Sequence, residues 1–488
     1  MYSVAGAALR DVIVRKQGLK SALYRVVKAQ KKPQNVLPPA LALLTTALDH
    51  REQLDQLLKK KPLKNLKSGS RWVIMSMVAD YLYSAQGIRG KGRLIREVTD
   101  ALVELGIEPG TFAAEKKAEK QRAQTALRYL RVDLNRLSRK EAVDSLSQIL
   151  SKHTNELVMV DDLIPDVVAV DSKFTAKLRQ HELVKTGVLA MMDRSACLTA
   201  HVLMPKPGDT VVDVCAAPGS KTLHFISSLK SKGLVIGIDQ DKGRFKTLVD
   251  RVQKESVCTR KEKWEGQHYV LRSSDGQLVT LLLNLDFTRV LSCNRACSEC
   301  ICLHKKCLNY MIEKFHPAHQ QPVEQPVEQP VELPARLTAS AAGQVGDCIM
   351  SLDPSCSGSG LTEHMAEVKQ AMKNKDESLV KRVALLAKFQ QTMLEHAVSL
   401  PVVSRLVYST CSLWAEENED VVDKCLQGED SVELVSIKAV KGWQNSKVRS
   451  VDPTRELKPQ SWWRTSCRRS DQTTHKCRGF FLSLMHRK

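Results

Sequence analysis

Three short stretches hold the residues that could do chemistry. The first is Asp213-Val214-Cys215-Ala216-Ala217-Pro218-Gly219-Ser220-Lys221-Thr222, which follows the apolar run Thr210 to Val214 and leads into a predicted helix over 223–229. A strand that turns tightly into a helix is the usual cofactor corner of an α/β sheet. A second apolar run, Leu234 to Ile238, ends in Asp239, about 17 residues on and close to the ~20-residue spacing at which an acid reaches a ribose. A phosphate-gripping loop is excluded, because Ser220 separates Gly219 from Lys221 and the first glycine of that motif is missing. The G-x-G-x-x-G of a dinucleotide site is missing too. A corner for S-adenosylmethionine needs neither, since that cofactor carries a sulfonium and a carboxylate; the plain alternative is an ordinary strand-turn-helix. The other two stretches are Asp353-Pro354-Ser355-Cys356-Ser357-Gly358-Ser359-Gly360 and Tyr408-Ser409-Thr410-Cys411-Ser412. Each sets a cysteine just past a predicted strand end, where open α/β sheets place their chemistry. A lone cysteine there reads as a small buried side chain. Two of them, each after a strand of the same sheet, point to thiol chemistry instead.

The elements that position these stretches are legible on both sides of them. Strands are predicted at 348–352, 405–409 and 480–485, and a strand-like run over 278–285 ends at Asp286-Phe287. Phe245, Leu248, Val249 and Val252 share one face of a helix after Asp239. Val383, Leu386, Phe389, Met393 and Leu394 do the same on a helix over 380–398. Upstream, residues 1–125 read as helical: Leu19, Leu23, Val26 and Val27 recur at helical spacing, with Leu41, Leu44, Leu48 and Leu54 following more loosely. Residues 126–190 change character, with strands at 127–133, 157–160 and 167–170 around a helix over 141–150. The expected organisation is a helical domain over 1–125, a small α/β module over 126–190, and a catalytic α/β domain over 191–488 interrupted at about 258–277 and 291–346. The later interruption repeats Gln-Pro-Val-Glu from Gln321, the composition of a linker. It also crowds Cys293, Cys297, Cys300, Cys302, His304 and Cys307 at gaps unlike the paired spacing of a zinc site, so no metal is expected.

Composition narrows the partners. The 488 residues are 43% hydrophobic, as in globular proteins, and carry 74 Lys and Arg against 54 Asp and Glu, a net charge of +20. That excess favours a polyanion. No run approaches the length that spans a bilayer, and no apolar leader opens the sequence, so the fourteen cysteines are expected as thiols in cytosol or nucleus.

In combination the three motifs strongly resemble the Sun-domain RNA cytosine-5 methyltransferases, and most closely the fifth-numbered subfamily, which modifies large-subunit ribosomal RNA. Glu416-Glu417-Asn418-Glu419-Asp420-Val421-Val422 and Gly479-Phe480-Phe481 are similar as well. The resemblance implies a Rossmann-like, S-adenosylmethionine-dependent methyltransferase domain, preceded by a small α/β RNA-binding module and an N-terminal helical domain. Cys411 is then the implied nucleophile, Cys356 the thiol that assists product release, Asp353 the contact to the cytosine edge and Lys221 a contact to the nucleotide. The cofactor contacts implied are Asp213, Cys215, Ala216, Ala217, Pro218, Gly219, Ser220 and Lys221 around the methionine end, Asp239 at the ribose with Arg244 assisting, Asp286 at the adenine, and Asp353. The partner implied is an unpaired or flipped cytosine of large-subunit ribosomal RNA, met by a monomer or within pre-ribosomal particles, in the nucleolus of the nucleus, with no membrane. Two departures stand out: Asp133 replaces the family's Asn in the first strand, and Met192-Asp193-Arg194-Ser195-Ala196 lacks the family's Gln and reverses its small pair. With the later interruption, they motivate one rival, a catalytically inactive RNA-binding assembly factor on the same fold. A further rival is a DNA cytosine methyltransferase, which would use Cys356 as nucleophile.

Overall fold

The structure is a computed structural model that describes residues 1–15, 19–66, 69–114, 127–150, 158–230, 232–264, 267–290, 347–361, 377–437, 449–452, 465–471, 475 and 477–488. The chain divides into two compact units, Met1–Thr125 and Ala126–Lys488.

The first unit is helical. Its helices include Tyr2–Arg15, Leu19–Ala29, Leu37–Asp49, Arg71–Tyr83 and Arg93–Glu104. Leu23, Val26, Leu44 and Leu54 meet in one core with Val78, Tyr81 and Leu102, as the helical spacing of the apolar residues requires. Gly6 lets Tyr2–Arg15 close on Arg71–Tyr83: a side-chain carbon there would lie 2.7 Å from the backbone N of Val73.

Among its described residues the second unit holds two sheets. The smaller is antiparallel, built from β1 (Leu127–Val132), β2 (Val158–Val160), β3 (Val167–Asp171) and β4 (Leu189–Met191) in the order β2-β3-β1-β4. The larger has ten strands among the described residues. At its centre β11 (Arg405–Thr410), β10 (Cys348–Leu352), β5 (Thr210–Val214), β6 (Gly233–Ile238) and β9 (Leu278–Leu283) lie parallel in that order. Antiparallel strands flank them. On one side is β14 (Phe480–Arg487), which pairs with β11 and with β12 (Val432–Leu434) and β13 (Cys467–Ser470). On the other is the hairpin of β7 (Arg260–Trp264) and β8 (His268–Arg272). Within residues 258–277, where the sequence shows no legible pattern, Arg260–Trp264 and His268–Arg272 are thus part of the sheet.

Alternation of side chains along the strands builds two cores. Val211, Val235, Leu282, Ile349, Val407 and Leu482 face the helices Arg194–Leu203, Ser220–Ser228 and Lys242–Glu255. Val212, Ile236, Leu281, Met350, Leu406 and Phe481 face the opposite way, against the helices Glu377–Ser399 and Glu419–Leu426. Such covering of both faces explains why the central strands read as unbroken apolar runs. The chain leaves β5 toward β6 and returns through β10 on β5's other side. That reversal is the topological switch point at which open α/β sheets bind ligands, beyond the carboxyl ends of the strands.

Candidate active site

Three strand ends set the site. Val214, Leu352 and Tyr408 lie side by side in register, so Cys215 and Asp353 leave the sheet together while β11 runs on through Ser409 to Thr410 beside them. The Ser409 hydroxyl donates to Asp353 Oδ1 at 3.0 Å. Lys221, in the first turn of the helix Ser220–Ser228, pairs with Asp353 Oδ2 and lies over the Phe480 ring, 5.5 Å from its centre. Phe480 reaches the same edge because β14 runs antiparallel and begins where β11 ends. Burial works against the Lys221 charge, yet Asp353 and then Asp213 hold its pKa above the ordinary value.

The two cysteines meet. Cys356 Sγ and Cys411 Sγ are 3.0 Å apart, within reach of a shared hydrogen. The Cys411 contact, with burial behind it, pushes the Cys356 thiol well above its ordinary pKa, so Cys356 holds its proton at neutral pH. Backbone bonds fix both loops: Gly360 N donates to Cys411 O and Gly479 N donates to Gly360 O, each at 2.9 Å.

The corner after β5 is braced from several sides. Cys215 takes a left-handed conformation, φ 59°, and burial pushes its thiol up to about 12. Asp239, 5% exposed, accepts from Ala217 N at 3.1 Å and from Asp241 N at 3.0 Å. Arg244 donates to Ala217 O at 2.6 Å and lies 3.4 Å from Asp239 Oδ2. Asp213 is buried under the turn and accepts from the Thr222 hydroxyl at 2.6 Å; burial raises its carboxyl to about 7. Asp286 follows β9 and caps the turn Phe287–Arg289 through Thr288 N at 3.0 Å and the Thr288 hydroxyl at 2.8 Å.

The structure therefore brings Lys221, Asp353, Cys356 and Cys411 to neighbouring strand ends, and joins Asp239 and Arg244 to the Ala217 backbone. Asp213 braces this corner from below. Sequence reasoning missed three contributors. Arg251 donates to Pro218 O at 3.2 Å and Ser220 Oγ at 3.1 Å from the next helix. Asn284 Nδ2 donates to Asp239 O at 2.8 Å, and Ser409 holds Asp353. Only Ser409 carried a signal, two residues before a motif cysteine. In the small module, Asp133 holds Arg136 Nε at 2.7 Å and accepts from the Ser227 hydroxyl at 2.8 Å. Asp193 caps the helix Arg194–Leu203 through Ser195 N at 3.1 Å. Among the described residues no cluster of metal-ligating side chains forms; Cys293, Cys297, Cys300, Cys302, His304 and Cys307 lie outside them.

A parallel sheet reversed at β5 and β10, a glycine-turned corner and an acid closing the next strand define a Rossmann-like methyltransferase, here with two thiols at adjacent strand ends. A family model described as 16S rRNA methyltransferase RsmB/F matches residues 200–306 and 334–484, together more than half of the chain, and the chain belongs to that family. A Mus musculus protein named 28S rRNA (cytosine-C(5))-methyltransferase is 26% identical over 455 residues, spanning 88% of this chain and 80% of that protein. A Drosophila melanogaster protein of the same name is 23% identical over 458 residues, spanning 90% and 86%. The solved structure described as "Crystal Structure of PH0851" superposes with a TM-score of 0.55 at 16% identity, covering 100% of this chain and 99% of that one, a likeness of fold.

The donor set fits S-adenosylmethionine. Gly219 turns the corner backbone between Cys215 and Lys221 at φ 103°, and a buried carboxylate, Asp239, stands just past the end of β6. When bound, that cofactor supplies a methyl group on a sulfonium.

Proposed function

We propose that the chain is an S-adenosylmethionine-dependent methyltransferase that forms 5-methylcytosine in large-subunit ribosomal RNA through a covalent bond between Cys411 and cytosine C6. The observation that carries this reading is the meeting of the Cys356 and Cys411 thiols beside the Lys221–Asp353 pair at the switch point. The names of the relatives and the net charge of +20 support the substrate class.

Carbon 5 of cytosine is too weak a nucleophile to take a methyl group unaided. Addition of the Cys411 thiolate to C6 pushes electrons onto C5, which divides one hard step into easier ones. Asp353, held by Lys221 and Ser409, meets the N3 edge of the ring and accepts from N3 once N3 takes up the proton that offsets the negative charge thiolate addition puts on the ring. After methylation a base takes the C5 proton, and the C6–S bond breaks to restore the ring and the Cys411 thiol. Cys356, kept protonated, supplies acid at the leaving sulfur. The Cys215–Ser220 backbone and Asp239 hold the cofactor, with Asp286 at its adenine end. A duplex hides C6, so the target is an unpaired or flipped cytosine. That substrate places the protein in the nucleolus, alone or within pre-ribosomal particles.

Bisulfite sequencing of ribosomal RNA from cells with and without the protein tests this. One 5-methylcytosine should vanish, return with the intact chain and stay absent with Cys411→Ala, while Cys356→Ala should leave protein trapped on RNA. Full methylation by Cys411→Ala would refute the assignment. No change at any cytosine would favour the inactive assembly factor.

A further inference from the structure

The acidic stretch after Cys411 has no part in the chemistry above, yet one of its carboxylates is bound by both cysteine loops. Glu417 ends the short turn Ala415–Glu417 and is fully buried. Its Oε1 accepts from the backbone N of Ser357 at 2.8 Å and from Gln390 Nε2 at 3.0 Å. Its Oε2 accepts from the hydroxyls of Ser357 and Ser412, both at 2.5 Å. Ser357 follows Cys356, and Ser412 follows Cys411. Gln390, itself fully buried on the helix Glu377–Ser399, also donates to Ser355 O at 3.0 Å, so the residue before Cys356 is tied to the same point. Taking a carboxylate out of water is costly unless its oxygens are hydrogen-bonded, and here each oxygen accepts two bonds.

We propose that Glu417 is a positioning residue that sets the spacing of the Cys356 and Cys411 thiols by bridging their loops. This rests on the reading of the site as a two-cysteine methyltransferase centre. The donors around Glu417 separate bridging from charge. Ser357 N and Gln390 Nε2 can only donate, and both face Oε1. The two hydroxyls that face Oε2 can accept as well as donate. A glutamine at position 417 can keep its carbonyl oxygen toward the N–H groups and turn its NH2 toward the hydroxyls, preserving all four bonds. An aspartate keeps the charge but is one methylene shorter and cannot span both loops.

The experiment compares the full chain with Glu417→Gln, Glu417→Asp and Glu417→Ala in three measurements. Diamide, a two-electron thiol oxidant, drives Cys356–Cys411 disulfide formation, read by mass spectrometry of unreduced peptides. Single-turnover methylation of ribosomal RNA reads the chemistry, and calorimetric titration with S-adenosylhomocysteine reads the integrity of the cofactor corner. Glu417→Gln should stay within about threefold of wild type throughout, whereas Glu417→Asp and Glu417→Ala should lose about tenfold or more in cross-linking and in kcat, because small misplacements of reacting groups are costly. KM for RNA and cofactor affinity should stay unchanged. If Glu417→Gln falls as far as Glu417→Asp, charge and not bridging is at work, and the proposal fails. It fails equally if Glu417→Asp and Glu417→Ala cross-link and methylate like wild type. Should Glu417→Ala not fold, the Gln and Asp variants carry the comparison. If the cross-linking split appears but wild type methylates no cytosine, the bridge stands and the functional reading falls. If methylation is normal and no split appears, only the bridge falls.

Discussion

Replacing Asp213 by asparagine should flatten the dependence of stability on pH. Burial raises the Asp213 carboxyl from an ordinary 3.8 to about 7, against the Thr222 hydrogen bond and the nearby Lys221 charge, both of which lower it. Between those two values the folded chain keeps a proton that the unfolded chain has released. Stability from this group is therefore complete below the unfolded pKa and is lost as pH rises through the folded one. One pKa unit is worth about 1.4 kcal/mol. Going from about pH 5.5 to about pH 8.5 covers some 1.5 units of that window before it closes near 7, a loss of about 2 kcal/mol. Asparagine can accept the Thr222 hydrogen bond and does not titrate. Urea unfolding of both proteins across that pH range isolates the effect, because subtracting wild type from variant cancels every other titrating group. The variant should gain about 2 kcal/mol on wild type, about four-fifths of it by pH 7. Two curves parallel within about 0.5 kcal/mol would refute the reasoning, since a carboxyl whose pKa is unchanged on folding contributes no pH dependence.

Two further outcomes follow from the corner and the loops. Asp239→Asn removes the buried negative charge that accepts Ala217 N and faces Arg244; S-adenosylhomocysteine affinity by calorimetry should fall about 10- to 100-fold, the scale of a lost charged hydrogen bond, and unchanged affinity would take Asp239 out of the ribose site. In Gly360→Ala the added carbon would lie 2.3 Å from Gly479 O, so stability should drop by about 1–3 kcal/mol as the loops are forced apart, read as a lower melting temperature.

Local pattern is what made most of the site legible. The Asp213–Thr222 motif, the run ending in Asp239 and the cysteines at 356 and 411 each sit at the end of an apolar strand, and a strand buried on both faces announces itself without reference to its neighbours. Strand β7 was illegible for the complementary reason. Arg260, Lys261, Glu262 and Lys263 lie on an exposed edge strand and need no apolar face, so their sequence carries no period. Charged residues are a common device for keeping such an edge from pairing with other chains. Asp213 shows the opposite difficulty, because a motif acid reads as functional whether it faces a ligand or braces the turn beneath it. Arg251 and Asn284 act on the corner from other elements, and only tertiary packing brings them to Ala217–Ser220 and Asp239.

The same logic explains why the far end of the sheet matters to the thiols. Asp353 meets Ser409, and Cys356 meets Cys411, only because Leu352 stands opposite Tyr408. A one-residue slip would send alternate side chains of β11 to the wrong face. That register is held some five residues away by groups that touch nothing chemical. Ser404 N and its hydroxyl both donate to Cys348 O, at 2.8 and 3.1 Å. Arg405 lies 3.7 Å from Asp209 and 3.6 Å from Asp347, while Asp347 N donates to Asp209 Oδ1 at 3.0 Å. Asp209, Asp347 and Arg405 stand at the starts of β5, β10 and β11, the three strands whose other ends carry the corner, the Asp353–Cys356 loop and Cys411. A strand is stiff along its length, so fixing one end in register fixes the other.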